Sequence, residues 1–341
     1  MERYIRQIIY AGVGDAGQRK LLAARVLLVG CGALGTTIAN NLVRAGIGHL
    51  TIVDRDFLEL NNLQRQTLFD ENDLRQNLPK AVAAAQKLCQ INSEVEIVAR
   101  VEDLDYANVQ ALVRTADLVM DGSDNFETRY LLNDTCVKYN KPWIYSGVIG
   151  VYGVTSTIVP GRTPCFRCLF PDQPPPGSTL TCDTAGILNS IVGTIGSIAS
   201  GEAVKLLVGQ GKLNAGLLSI DLWQNNFDRL SIETPLPGCA TCDLHQYEFL
   251  DSEGDRASHA AILCGRNAVQ ISLGTTFQIS LEDLAARLQN AGAKEILQNE
   301  YLLRFHVDSY DFTVFPDGRA IIKGMEEADL AKSLYARYIG L

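Results

Sequence analysis

Gly30, Gly32 and Gly35 form a Gly-x-Gly-x-x-Gly turn between the apolar run Arg25–Val29 and a helical stretch over Thr36–Ala45. Where glycine removes the side chain, backbone amides can approach phosphate oxygens, and the N-terminal end of the following helix adds positive potential. Asp54 stands 19 residues beyond Gly35, at the end of the next apolar run, where a carboxylate can accept from ribose hydroxyls. The pattern predicts a nucleotide site at Gly30, Gly32, Ala33, Gly35 and Asp54. Taken alone, it suits NAD as well as ATP.

The residues that follow separate the two. Asp54-Arg55-Asp56 leads to Asn61-Asn62-Leu63-Gln64-Arg65-Gln66 and then to Asn77-Leu78-Pro79-Lys80 at the start of a helix. Hydride transfer does not need a guanidinium, an ammonium and amides near the phosphates. Breaking an α–β phosphoanhydride does, because negative charge moves onto departing pyrophosphate. The plainer reading of Arg65 and Lys80 is solvated surface. Asp121-Gly122-Ser123-Asp124-Asn125 follows another buried run, and a hard oxygen ligand such as Asp124 suits a Mg²⁺ that bridges phosphates. Asp121 could equally cap the next helix.

Cysteine supplies a second kind of chemistry. Cys165-Phe-Arg-Cys168 and Cys239-Ala-Thr-Cys242 are two C-x-x-C knuckles, enough thiolates to close a tetrahedral structural zinc site with no open position. A redox-active dithiol is the alternative. Cys182, where a Pro- and Gly-rich stretch over 171–181 meets a long uncharged segment, is either a nucleophile activated by a helix N-terminus or a small buried hydrophobe. Cys31, Cys89 and Cys136 fall inside expected core elements and are read as inert.

These residues need a frame. Helices over Ala81–Ile91, Tyr106–Arg114 and Arg129–Tyr139 alternate with strands over Val95–Val101, Leu118–Asp121 and Pro142–Tyr145. Such alternation predicts an α/β, doubly wound, mostly parallel Rossmann-like sheet with its ligand crevice beyond the strand C-termini. After Ser146 the β-branched, alternating texture predicts an antiparallel extension. The expected division is an ATP-binding domain over 1–244, a polar linker over 245–260 and a small α+β domain over 261–341. Within the last, a strand is expected over Ala261–Ile271, a helix over Ser280–Ala291, a strand over Tyr301–Val307, a hairpin around Pro316-Asp317-Gly318 and a helix over Glu326–Tyr338.

In the 341 residues, hydrophobic types make up 47% and charged types 20%, ample for a packed core. A net charge of −9 with scattered Lys and Arg argues against nucleic-acid or anionic-membrane binding. The uncharged stretch Thr184–Gly201 carries many small and polar residues, so it is expected as a buried helix rather than a membrane span. With no export pattern at Met1–Arg6 and an odd total of nine cysteines, a cytoplasmic location without a disulfide framework is expected.

Arg3-Tyr-Ile-Arg-Gln7, the glycine turn, Asp54-Arg-Asp56, Asn62-Leu-Gln-Arg-Gln66, Pro79-Lys80, Asp121-Gly-Ser-Asp-Asn125 and the two C-x-x-C pairs together resemble the ThiF/MoeB/HesA family, relatives of ubiquitin-activating enzymes. The layout of the tail resembles the longer Bacillus-type members. The resemblance implies adenylylation of the C-terminal Gly-Gly carboxylate of a ubiquitin-like sulfur-carrier protein. ATP, Mg²⁺ and Zn²⁺ would be the cofactors, ahead of sulfur transfer for thiamin or molybdopterin synthesis.

The resemblance also implies roles: Asp54, Asp56 and Asn125 at the nucleotide, Asn62, Arg65 and Lys80 at the phosphates, Asp124 at Mg²⁺, and the four knuckle cysteines at zinc. Arg6 would reach the ATP of the other subunit in a homodimer, and Cys182 falls at the position of the family's active-site cysteine. Ala33 replaces a glycine of some relatives without removing the amide. The tail is not recognisably a sulfurtransferase, which implies a separate sulfur donor. An NAD-dependent oxidoreductase and a nucleotide-binding scaffold without turnover are the readings of other classes.

Overall fold

The computed structural model describes residues 1–175, 181–232, 234–251, 259–263, 267–272, 278–290 and 292–340, in two compact units, Met1–Ser252 and Glu253–Leu341. In the first unit an eight-stranded sheet comprises β1 (Arg25–Val29), β2 (His49–Val53), β3 (Glu96–Arg100), β4 (Leu118–Asp121), β5 (Trp143–Ile149), β6 (Tyr152–Ile158), β7 (Leu217–Asp221) and β8 (Asn226–Leu230). The strand order is β3-β2-β1-β4-β5-β6-β7-β8. Pairings from β3 through to β5 are parallel and those from β5 to β8 antiparallel.

This is the expected doubly wound sheet with an antiparallel extension. Both faces of β1 are covered, so Val26 to Val29 are all buried; the run of Val and Leu is the signature of a central parallel strand. The strand order reverses between β1 and β4, which opens a crevice at their C-terminal ends. Register decides what meets there. Val29 pairs with both Val53 and Asp121, so the chain leaves β1, β2 and β4 at one level, delivering Gly30, Asp54 and Gly122 together.

The helices before the crossovers are α1 (Ile5–Ile9) and α2 (Gly14–Ala23). Then come α3 (Ala33–Ala45), α4 (Glu71–Arg75), α5 (Lys80–Ile91), α6 (Val109–Thr115) and α7 (Phe126–Lys138). The last starts three residues earlier than expected because Asn125 caps it, accepting from Thr128 N at 2.8 Å. Short helices α8 (Phe166–Leu169) and α9 (Cys182–Ala185) precede α10 (Asn189–Val208).

The long uncharged segment is thus two helices, broken at Gly186, whose φ of 72° ends α9. By length and composition α10 could cross a bilayer, yet half of its apolar window is buried in the fold. Small residues set that packing, as expected. A Cβ on Gly196 would lie 2.7 Å from Thr37 of α3, and one on Gly153 2.4 Å from Ile195.

Within the expected linker, after three residues without regular structure, lies a short helix, α11 (Glu248–Asp251), with Leu250 buried and Phe249 stacked on Tyr130 at 4.6 Å. In the second unit, the strand expected over Ala261–Ile271 is a pair, β9 (His259–Leu263) and β10 (Ala268–Ser272), joined antiparallel. With β11 (Lys294–Gln298), β12 (Leu303–Val307), β13 (Tyr310–Val314) and β14 (Ala320–Lys323) they form an antiparallel sheet in the order β11-β12-β13-β14-β10-β9. α12 (Leu281–Asn290) and α13 (Ala328–Tyr338) place Leu284, Leu288, Leu334 and Tyr335 in one core with Val269, Phe305, Phe312 and Ile322.

Candidate functional site

The turn after β1 and the turn after β4 meet backbone to backbone, and only glycine permits it. Gly30 has φ +85°, and a Cβ there would sit 2.6 Å from the Gly122 carbonyl. One on Gly35 would sit 2.0 Å from Gly30 O, and one on Gly122 2.5 Å from that same oxygen. Gly32 differs: its Cβ would meet nothing nearer than Gln66 Nε2 at 3.9 Å. That open side, at the N-cap of α3 with no side chain capping it, leaves room for a phosphate group beside unpaired backbone amides. Gln66 is buried beside it, and its Oε1 has no hydrogen-bond partner. An orphaned buried acceptor next to an open glycine turn fits a polar ligand that donates to it.

Asp54 holds the turn in place. One carboxylate oxygen accepts from Cys31 N at 2.6 Å and the other from Asp56 N at 2.7 Å. Burial pushes its carboxyl above the ordinary carboxylate value, against the pull of the Lys80 ammonium. Lys80 starts α5 and is only 4% exposed, with Nζ 3.1 Å from Asp56 Oδ2. Its backbone N donates to Asp56 O at 2.8 Å, and Phe57 bridges Pro79. The plainer alternative, solvated surface, therefore fails for Lys80.

Between these segments Asn62 is buried and accepts from Glu59 N at 3.1 Å, closing a capping box. Arg65 is half-buried and donates to Asn61 O at 2.7 Å. The two therefore shape their own loop.

After β4, buried Asp121 accepts from Ser123 N and Oγ and pairs with Arg129 at 3.1 Å. Asn125, not Asp121, caps α7, so capping does not explain Asp121. Arg129 also donates to Ser123 O at 2.8 Å and lies over the Tyr145 ring at 5.2 Å. Asp124 is exposed, and its charge acts on both Arg55 and Arg129. Sequence reading passed over Gln66, Gly122 and Arg129 as site residues; only burial and the back-to-back turns reveal them.

One expected residue stands apart from this group. Arg6 is exposed on α1, whose neighbour Gln7 donates to Ala45 O, at the end of α3 remote from Gly32. Arg3 likewise donates to Ile91 O, at the end of α5 remote from Lys80. Cys182 opens α9 behind a capping box of Thr181, and the chain beyond is tied to Gly150 through Gly150 N to Gly186 O at 2.9 Å.

The two knuckles converge. Cys165 Sγ is 3.8 Å from Cys168 and 3.6 Å from Cys239, and Cys168 is 3.4 Å from Cys242. Thiolates 2.3 Å from a tetrahedral zinc would be about 3.8 Å apart, so the four sulfurs, all within 4.8 Å of one another, could hold one metal ion. Asn133 Nδ2 and Leu236 N point at Cys165 and Cys168 from 3.7 and 3.5 Å, as outer partners of a metal site do.

The fold and the turn define a Rossmann-type nucleotide enzyme carrying a separate cysteine cluster. The chain belongs to the ThiF family, whose model matches residues 4–241. It is 42% identical over 339 residues, 99% of both chains, to the sulfur carrier protein ThiS adenylyltransferase of Bacillus subtilis. It is 40% identical to the SAMP-activating enzyme E1 of Haloferax volcanii, covering 71% of this chain and 88% of that one. With the sulfur carrier protein adenylyltransferase of Thermus thermophilus it shares 38% over 74% of this chain and 95% of the other. The crystal structure of E. coli MccB with ATP superposes with a TM-score of 0.62 at 24% identity, over 70% of this chain and 74% of that one, a likeness of fold.

Proposed function

We propose that this chain uses ATP to adenylylate the C-terminal Gly-Gly carboxylate of a ubiquitin-like sulfur-carrier protein of the ThiS type. The carrying observation is the open Gly32 cradle with a buried lysine at its margin, in a chain alike along nearly its whole length to a ThiS adenylyltransferase. A carboxylate oxygen of the carrier attacks the α-phosphorus, forming the acyl–phosphate bond as the bond to the β-phosphate oxygen breaks. The electron pair leaves on pyrophosphate, where cations stabilise it.

In this reading Asp54 holds the ribose, while Asn62, Arg65 and Lys80 face the phosphates. Asp124 would hold Mg²⁺, whose charge offsets that of the polyphosphate when bound. Cys165, Cys168, Cys239 and Cys242 would hold a structural zinc, and Arg6 would serve the neighbouring subunit of a homodimer. Cys182 would take part after adenylation, with a separate sulfur donor. A cytoplasmic setting, which keeps thiols reduced, suits the cysteine cluster. An oxidoreductase gains no support, since nothing in hydride transfer uses a buried lysine at the phosphates.

Exchange of labelled pyrophosphate into ATP tests the proposal. The wild type should exchange only when a carrier ending in Gly-Gly is present, and Asp124→Ala should slow exchange on the order of 100-fold. Carrier-independent exchange, or none with any such carrier, overturns the reading. Exchange by Asp124→Ala at the wild-type rate removes Asp124 alone.

A further inference from the structure

The segment from Asp54 to Phe57 runs as a strap from the glycine turn to the start of α5, and each contact along it is made by a different group. Asp54 takes Cys31 N from the turn and Asp56 N from the strap. Asp56 then takes Lys80 twice, its carbonyl oxygen accepting from Lys80 N at 2.8 Å and its carboxylate from Lys80 Nζ at 3.1 Å. Phe57, buried, completes the strap through its bridge to Pro79, and Arg55 fastens the outer side to Asp103 at 2.7 Å.

Asp56 and Lys80 are both poorly exposed, at 15% and 6% of their side chains. An ammonium buried at the first position of a helix meets the positive end of the helix dipole and has lost most of its water, so an anion in contact with it offsets both costs and fixes its place. Nucleotide phosphates are one such anion. Before they arrive, Asp56 is the carboxylate in contact with it, at 3.1 Å, while buried Asp54 acts on it by charge alone.

We propose that Asp56 is a positioning residue: it holds the Lys80 ammonium at the rim of the glycine turn, ready for the phosphates, rather than binding the nucleotide itself. This rests on the adenylyltransferase reading. A carboxylate touching Lys80 from the protein side costs phosphate affinity by repulsion but fixes the cation for the moment when charge moves to pyrophosphate. Asp54, one residue before Arg55 in the same strap, keeps the ribose-binding role, because one of its oxygens faces the turn at Cys31 N.

The test compares Asp56→Asn, Lys80→Met and the double variant by two readouts, equilibrium ATP binding and carrier-dependent pyrophosphate exchange. Asp56→Asn should bind ATP as well as the wild type or more tightly, yet exchange on the order of 100-fold more slowly, the size of a misplaced group. In the Lys80→Met background the same substitution should change exchange by less than about twofold, since two residues acting through one interaction are not additive.

Multiplying effects, or an Asp56→Asn that loses ATP affinity in step with its rate, would overturn the assignment and make Asp56 a direct ligand. If Asp56→Asn does not fold, thermal unfolding reads the same coupling. A double variant that regains stability by neutralising both partners supports the pair, and one that regains none refutes it. A wild type without exchange would instead sink the adenylyltransferase reading, leaving the ATP-binding comparison intact.

Discussion

Asp134 is fully buried on α7, accepting from Thr241 Oγ1 and from Phe249 N, each at 2.9 Å. It therefore ties the second cysteine knuckle and α11 to the first unit's core. Burial pushes its carboxyl from 3.8 up to about 6. The folded protein then holds this proton more tightly than the unfolded chain does. Stability from this group is full below about pH 4 and is lost as pH rises through about 6, a change of up to about 3 kcal/mol. Urea unfolding across pH 4 to 8 should show that slope in the wild type and lack it in Asp134→Asn; equal slopes would show that another group titrates. Such a residue is not legible in sequence, where it is one acid in a helix whose polar and apolar residues show no period, although Arg129 to Cys136 are all buried. Gln66 and Arg129 were missed for the same reason. Asp54 was legible because its spacing from a glycine turn marks it, and Lys80 because it opens a helix after Asn77-Leu78-Pro79; neither needs knowledge of burial.

At the level of elements the glycine turn makes the sharpest contrast. A methyl on Gly35 drives into Gly30 O, while a methyl on Gly32 enters open space beside Gln66. Gly35→Ala should cost about 2 kcal/mol or more through backbone displacement, read by urea unfolding. Gly32→Ala should unfold like the wild type but bind ATP weakly, because its methyl fills the cradle. Equal destabilisation by both, or normal ATP affinity in Gly32→Ala, would show that the cradle is not where the phosphates lie. The parallel half of the sheet was legible because its central strands, β1 and β4, are unbroken apolar runs set among helices long enough to show their period. The β9–β10 pair and α11 were not. Two five-residue strands set close together read as one, and a four-residue helix in a polar stretch has no period; its place is fixed by Phe249 on Tyr130. β11 was missed because most of its residues are exposed, so no apolar alternation marks it.

At the scale of the whole molecule, Arg6 poses the question that one chain does not answer by itself. The N-terminal segment is fastened at the C-terminal ends of α3 and α5, through Gln7 to Ala45 O and Arg3 to Ile91 O. The turn and Lys80 lie at the opposite ends of those helices, which span 13 and 12 residues, and at 1.5 Å per residue each is about 20 Å long. That is beyond the reach of one arginine side chain, so an Arg6 that serves any phosphate site serves a neighbour's. Beside it Ile5, Ile9 and Tyr10 are 50%, 67% and 69% exposed, apolar surface of the kind that association covers. Two inactive variants, Arg6→Ala and Lys80→Met, should then rescue each other. In a mixed dimer the first subunit keeps its own Lys80 and borrows the partner's intact arginine, so one site of two is whole. With half of the dimers mixed, carrier-dependent pyrophosphate exchange should return to about a quarter of the wild-type level after co-refolding in equal amounts. If Arg6 worked within its own chain, every site in the mixture would lack one of the two cations, and exchange would stay at the level of the separate variants.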